Sequence, residues 1–395
     1  MGTSVFGRKL TLKERIALQI VFFVSWLSFL GLPYGVVSIS ERFGTNEAQG
    51  SYIAAAELIA VAMAAIISGR NIHLRDKRRF AVAGMAISLF GALVALVAPE
   101  LTWAVVGRIS IGIGVGIITA VTNAIPGMFE NAEKTFARMT LWMSIGFAIL
   151  MFLAPAAMEQ LGAIGFNYLE ILILLLISLV VFFLPRARLS PVDCVHGSVK
   201  RVRGKLLPSG VVPVFLAIFL LYVSQGLAWT FAGSLAQELN VSSSAQSIAF
   251  TMCALGNLPA ALLAERLGLR YRFTVPVVVA LIGLGVAYAG IYCSGTSTVY
   301  LLSIGVFSSF SAFVLPYMQG LLSELDTTGA SAASGGAIIN IGGAAGPAIG
   351  GLIFGGIGYG GIGWICAALS IGSAFCFALS STRKLAAQPV IISHA

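Results

Sequence analysis

The chain has 395 residues, of which 58% are hydrophobic and 10% charged, with a formal net charge of +9. Soluble domains carry about 25% charged residues, so the composition excludes a soluble globular protein and points to an integral membrane protein. Its basic excess then belongs to loops on one side of the bilayer and calls for no nucleic-acid partner.

A helix crosses the bilayer in about 20 mostly apolar residues. Twelve such runs follow one another, at 16–40, 49–69, 80–98, 102–124, 137–158, 167–185, 211–235, 245–265, 274–293, 299–321, 332–355 and 361–381. The first is too long for the roughly 7–15-residue core of a signal peptide and lacks a small-residue cleavage site. The runs are continuous rather than alternating, which excludes a β-barrel. The expectation is an all-α membrane protein of twelve transmembrane helices. With both termini on one side, 22 of the 24 Lys and Arg fall on that side; the others are Arg42 and Arg108. The positive-inside rule makes that side cytoplasmic. The longest polar gap, 186–210, is a basic linker suited to anionic headgroups. It divides a six-helix bundle at 1–185 from a second at 211–395.

The two halves echo each other. GRNIHLRDKRR begins at Gly69 and ALLAERLGLRYR at Ala261; Pro155 lies in LAPAA and Pro347 in GAAGPAIGG. Both pairs share an offset of 192 residues, as a duplicated six-helix unit requires. With these repeats the chain resembles the major facilitator superfamily over nearly its whole length. The family's loop motif, Gly-x-Leu-Ala-Asp-Arg-x-Gly-Arg-Arg, is matched after run 8 by Leu263, Ala264, Glu265, Arg266, Gly268 and Arg270. After run 2 it keeps Gly69, Lys77, Arg78 and Arg79, with His73 at the acid and Asp76 at the second glycine. Arg108, Gly112, Gly114 and Gly116 fit the run 4 motif. Gly342, Gly346, Pro347, Gly350 and Gly351 look like the family's antiporter motif, placed in run 11. The resemblance implies alternating access between pseudo-symmetric bundles, with gating by Gly69, Asp76, Arg78, Glu265, Arg266, Gly268, Arg270, Gly346 and Pro347. The short loops resemble drug:proton antiporters in particular.

Three ionisable residues lie well within the runs: Glu57, Arg108 and Glu170. Counted from the run ends they sit roughly 12, 9 and 6 Å deep. A charge at the bilayer centre costs at least about 2.5–3.5 kcal/mol, so Arg108 is expected to line a polar cavity with a carboxylate partner. Glu57 is the first choice; Glu170, nearest the boundary, reads as an interfacial residue or a second partner. A carboxyl that alternates between a cation and a closed cavity binds and releases a proton, which makes Glu57 the expected coupling site. No histidine lies in a run. His-Glu-x-x-His, a phosphate-binding Gly-x4-Gly-Lys-Ser/Thr loop and an intramembrane aspartyl pair are all missing from the sequence, so neither an enzyme nor a cofactor nor a metal site is expected.

Candidate cavity residues are Trp26, Tyr34 and Trp142, with Phe29 and Asn123, in the first half. The second half offers Tyr222, Gln225, Trp229, Asn257, Tyr317, Gln319 and Asn340. Together with Arg108 they suggest one charged and one largely apolar wall, suited to a small amphipathic or aromatic organic solute. The expected function is proton-coupled export of such a solute by a monomer in a bacterial inner membrane, its partners being the solute, protons and membrane lipids. Uptake of an organic anion on Arg108, or translocation of a lipid or lysolipid, are the alternatives.

Overall fold

A computed structural model describes residues 10–71, 76–126, 132–186, 210–267, 274–325 and 330–387. The first helix, α1 (Leu12–Leu30), starts at a capping box in which Thr11 Oγ1 accepts from Glu14 N and the Glu14 carboxylate accepts from Thr11 N. It breaks at Gly31 and resumes as α2 (Leu32–Phe43), bent by 51°. Pro33 has no N–H to continue the ladder, and Tyr34 N turns to Gly31 O at 3.2 Å. The Leu30 carbonyl is thereby freed. Gly31 packs closely here: a Cβ would lie 2.7 Å from the Phe166 ring and 3.1 Å from Leu27 O.

There follow α3 (Glu47–Asn71), α4 (Lys77–Val97), α5 (Leu101–Ala124), α6 (Ala132–Leu161), a 3₁₀ turn (Gly162–Ile164) and α7 (Gly165–Val181). The second half of the chain supplies α8 (Val211–Glu238), α9 (Ser243–Leu267), α10 (Thr274–Cys293), α11 (Ser297–Leu325) and α12 (Ala330–Ala387). The last is two helices broken at Gly358, whose φ of 59° and ψ of −166° only glycine adopts readily. Among the described residues nine helical stretches are long and apolar enough to cross a bilayer, or ten with α1 and α2 taken as one bent span. Two of these stretches, of 44 and 47 residues, have the length of two crossings each. Each turns at a positive-φ glycine, Gly162 or Gly358; counted as pairs they give the twelve expected from the sequence.

Short connections at 44–46, 98–100, 162–164, 239–242 and 294–296, with the Gly358 break, gather at one end, called here the short-turn end. The outer faces are apolar, with Leu176, Leu179, Val286, Leu302, Leu352 and Trp364 all exposed, as lipid contact requires. Glycine faces set the helix packing. A Cβ at Gly112 or Gly116 would collide with Glu57 O or Val61 O of α3, and one at Gly114 with Gly84 O of α4. In the second half Gly342, Gly346 and Gly350 press on α8 in the same way. Small residues at four-residue spacing let backbones touch.

Four hydrogen bonds join the halves of the chain among the described residues: Trp229 Nε1 to Leu30 O (3.1 Å), Ser234 Oγ to Glu47 Oε2 (2.5 Å), Gln237 Nε2 to Glu41 Oε1 (2.5 Å) and Ser247 Oγ to Phe152 O (3.3 Å). All lie toward the short-turn end. The Trp229 bond occupies the carbonyl that the Gly31 break releases. Around it Trp229 packs on Phe147, Phe250 and Phe307, with ring centroids 5.2–5.8 Å apart.

Candidate functional site

Arg108, Gly112 and Gly116 recur at four-residue intervals and so share one face of α5. The two glycines bring that face onto α3, which sets Arg108, one turn earlier, beside Glu57. Arg108 Nη1 lies 3.7 Å from Glu57 Oε2 and 3.1 Å from Glu170 Oε2, and donates to Glu170 Oε1 at 3.3 Å. Its guanidinium also stands 5.7 Å from the centre of the Phe166 ring. All three side chains are buried, at 4%, 4% and 1% exposure for Glu57, Arg108 and Glu170.

The expected order of pairing is reversed: Glu170 is the nearer acid, and it is not interfacial. The 3₁₀ turn starts α7 at Gly165 rather than at 167, which carries Glu170 roughly 3 Å deeper, to the level of Arg108. Two carboxyls thus face one guanidinium, and among the described ion pairs no second cation reaches either acid. In this region Glu57 Oε1, Glu170 Oε2, Arg108 Nη2, Ser28 Oγ and Tyr34 Oη are buried and make no hydrogen bond. Buried polar atoms normally find partners in protein or water. A cavity of about 10 Å³, near the room one water needs, is lined by Ser28, Glu57, Arg108 and Glu170 with Gly31 and Gly35 at the helix break.

A second cavity, of about 20 Å³, lies where the halves meet. It brings together Trp26, Tyr222 and Asn340 from the expected set, with Phe29, Ser25 and Ser28. Arg108 lines the first cavity and not this one. Other expected cavity residues are engaged elsewhere. Trp229 and Tyr34 are almost fully buried in the aromatic packing of the short-turn side, Tyr34 on Phe166 and Phe250. Gln225 Nε2 donates to Ser311 Oγ at 3.2 Å, Asn257 Oδ1 accepts from Ser308 Oγ at 2.9 Å, and Tyr317 Oη donates to Ala264 O at 3.1 Å. Gln319 lies against Gly335, and Trp142 is exposed on α6. Ser28 was not singled out from the sequence: one serine in an apolar helix carries no signal of its own.

Of the gating residues, Asp76 is the N-cap of α4, its Oδ1 accepting from Arg78 N and Arg79 N at 3.0 and 3.3 Å. Arg78 Nε donates to Leu184 O at 2.6 Å. Gly346 abuts the backbone of α8 at Gly226, and Pro347 is buried beside it. Gly69 and Arg266 are exposed. Glu265 falls within α9, while Gly268, Arg270 and His73 lie outside the described residues.

A helical membrane bundle with charges enclosed in one half and a cavity where the halves meet has the build of a secondary transporter. The chain belongs to the Major Facilitator Superfamily, whose family model matches residues 18–198 and 214–391. Solved structures agree in fold. A POT family transporter in complex with a thioalcohol conjugated peptide is 12% identical, with a TM-score of 0.74 over 96% of this chain and 99% of its own. A variant of the nucleoside transporter NupG is 14% identical, with 0.72 over 93% and 99%. The xylose transporter XylE from E. coli, in a partially occluded inward open conformation, is 16% identical, with 0.69 over 92% and 96%. No curated protein sequence matches the chain significantly.

Proposed function

We propose that the chain is a proton-coupled transporter of a small amphipathic aromatic solute, neutral or cationic, and that Glu57 carries the coupling proton. One observation supports this above the rest: two buried carboxyls share one buried guanidinium. With both acids ionised the cluster would hold an unbalanced negative charge away from water, which is strongly unfavourable. One proton on the pair neutralises it. Glu170 holds the shorter contacts to Arg108, at 3.1 and 3.3 Å against 3.7 Å for Glu57, so the proton belongs on Glu57.

In this reading residues 1–185 and 211–395 rock as two bundles about the interhalf cavity, with both termini and the 186–210 linker in the cytoplasm. The bonds at the short-turn end then close the outer side. The solute meets Trp26, Phe29, Tyr222 and Asn340 once the halves part enough to admit it. Arg108 is occupied by two acids and walled off from that cavity, so it is not the counter-charge of an organic anion. Export is the direction that the likeness to drug:proton antiporters favours.

The test is transport in proteoliposomes with cationic, neutral and anionic aromatic test solutes under an imposed pH gradient. A cationic or neutral solute should move against its gradient in the wild type. Glu57→Gln should abolish that while keeping solute exchange at equal pH. Gradient-driven transport that survives Glu57→Gln would sink the proposal.

A further inference from the structure

Ser28 stands between the two cavities. It lines both the cavity of Glu57, Arg108 and Glu170 and the cavity between the halves, and among the described residues no other side chain is shared by the two linings. Its hydroxyl also behaves unlike its neighbours. A buried Ser or Thr in a helix usually satisfies itself on the carbonyl three or four residues back, as Thr119, Thr122, Ser224 and Thr230 do here. Ser28 Oγ makes no such bond; it is buried beside the Glu57 carboxyl, on the lining of the same cavity. A hydroxyl facing a carboxyl across a water-sized void is the makings of a short hydrogen-bonded chain.

We propose that Ser28 is the relay through which Glu57 exchanges its proton with water in the cavity between the halves. The inference rests on the reading of Glu57 as the coupling site. In the loading step a hydronium in the cavity between the halves gives a proton to Ser28 Oγ and is left as water, as the Ser28 hydroxyl hydrogen passes to the Glu57 carboxylate, directly or through one water in the Glu57 cavity. Ser28 ends with the hydrogen count it began with, and the net change is one proton moved from bulk to carboxyl. Release runs the same path backward. The charged groups facing Glu57 are Arg108 from α5 and Glu170 from α7; neither lines the cavity between the halves. Ser28 is therefore a positioning residue for proton transfer.

The experiment needs no known solute. Purified protein is subjected to a rapid pH drop while infrared difference spectroscopy follows the carboxylic-acid band. A band lost in Glu57→Gln reports on Glu57; if that variant leaves the band unchanged, Glu57 does not titrate and both the coupling reading and this inference fall. Given a Glu57 band, Ser28→Ala should slow its rise about 100-fold, the lower end of what a positioned proton-transfer group contributes, at unchanged amplitude. Ser28→Thr, which keeps a hydroxyl, should restore the rate. A wild-type rate in Ser28→Ala would overturn the relay alone. So would a reduced amplitude that Ser28→Thr fails to recover, which marks a packing role.

Discussion

Arg108 is held by two acids and a ring face, with its Nη2 unsatisfied. Removing the cation strands two carboxyls against each other, and breaking a buried ionic cluster on one side costs about 3–5 kcal/mol. Arg108→Met should therefore lower the melting temperature in detergent sharply. Arg108→Met combined with Glu57→Gln and Glu170→Gln should recover most of that loss while leaving transport dead, because the charge imbalance goes and the proton site goes with it. Glu57→Gln alone removes only the surplus acid, so its melting temperature should stay at or above wild type. A large drop there would mean that Glu57, not Glu170, is the main partner of the guanidinium.

Among the helices, the approach of α5 to α3 decides where Arg108 sits. The Cβ of an alanine at 112 or 116 meets α3 backbone, which cannot yield as a side chain would. Gly112→Ala and Gly116→Ala should each destabilise by about 1–3 kcal/mol as overpacking does, read by thermal melting. Gly336→Ala, in open space on α12, should instead be neutral or stabilising by up to about 1 kcal/mol through lower chain entropy. Equal losses at all three positions would count against the packing argument. The break between α1 and α2 can be probed at its partner. Trp229→Phe keeps the ring and loses the bond to Leu30 O, worth about 1 kcal/mol net. The closed short-turn end should then open roughly five-fold more often, measured as maleimide labelling of a cysteine placed at Ser234.

For the whole molecule, alternating access requires the bonds at the short-turn end to break in each cycle. A short bismaleimide bridge between cysteines at 41 and 237, where Glu41 and Gln237 now meet, should stop net transport and leave the linker end open to labelling. Persistent transport through the cross-link would rule out rocking about that seal. The helical membrane build was legible in the sequence, because run length is a property of whole segments and survives errors of a few residues at each end. The three charges were legible too, since an ionised group in an apolar run is an anomaly that only partners explain. What escaped were facts of register. The 3₁₀ turn that lowers Glu170 spans three residues, and Trp229 looked like a cavity residue because nothing local reveals that a carbonyl freed 199 positions away awaits its indole. Asp76, read from the resemblance as part of a gate, also caps α4, a local role that the motif does not announce.

The Leu30 carbonyl has one more consequence. A main-chain acceptor cannot be left dry without penalty, and in the sealed form its donor comes from the other half of the protein. Once the halves separate there, the remaining donor within reach is solvent. Parting and wetting at that turn must be a single event, so a gap of bare vacuum between the two arrangements is ruled out by peptide chemistry rather than by any side chain.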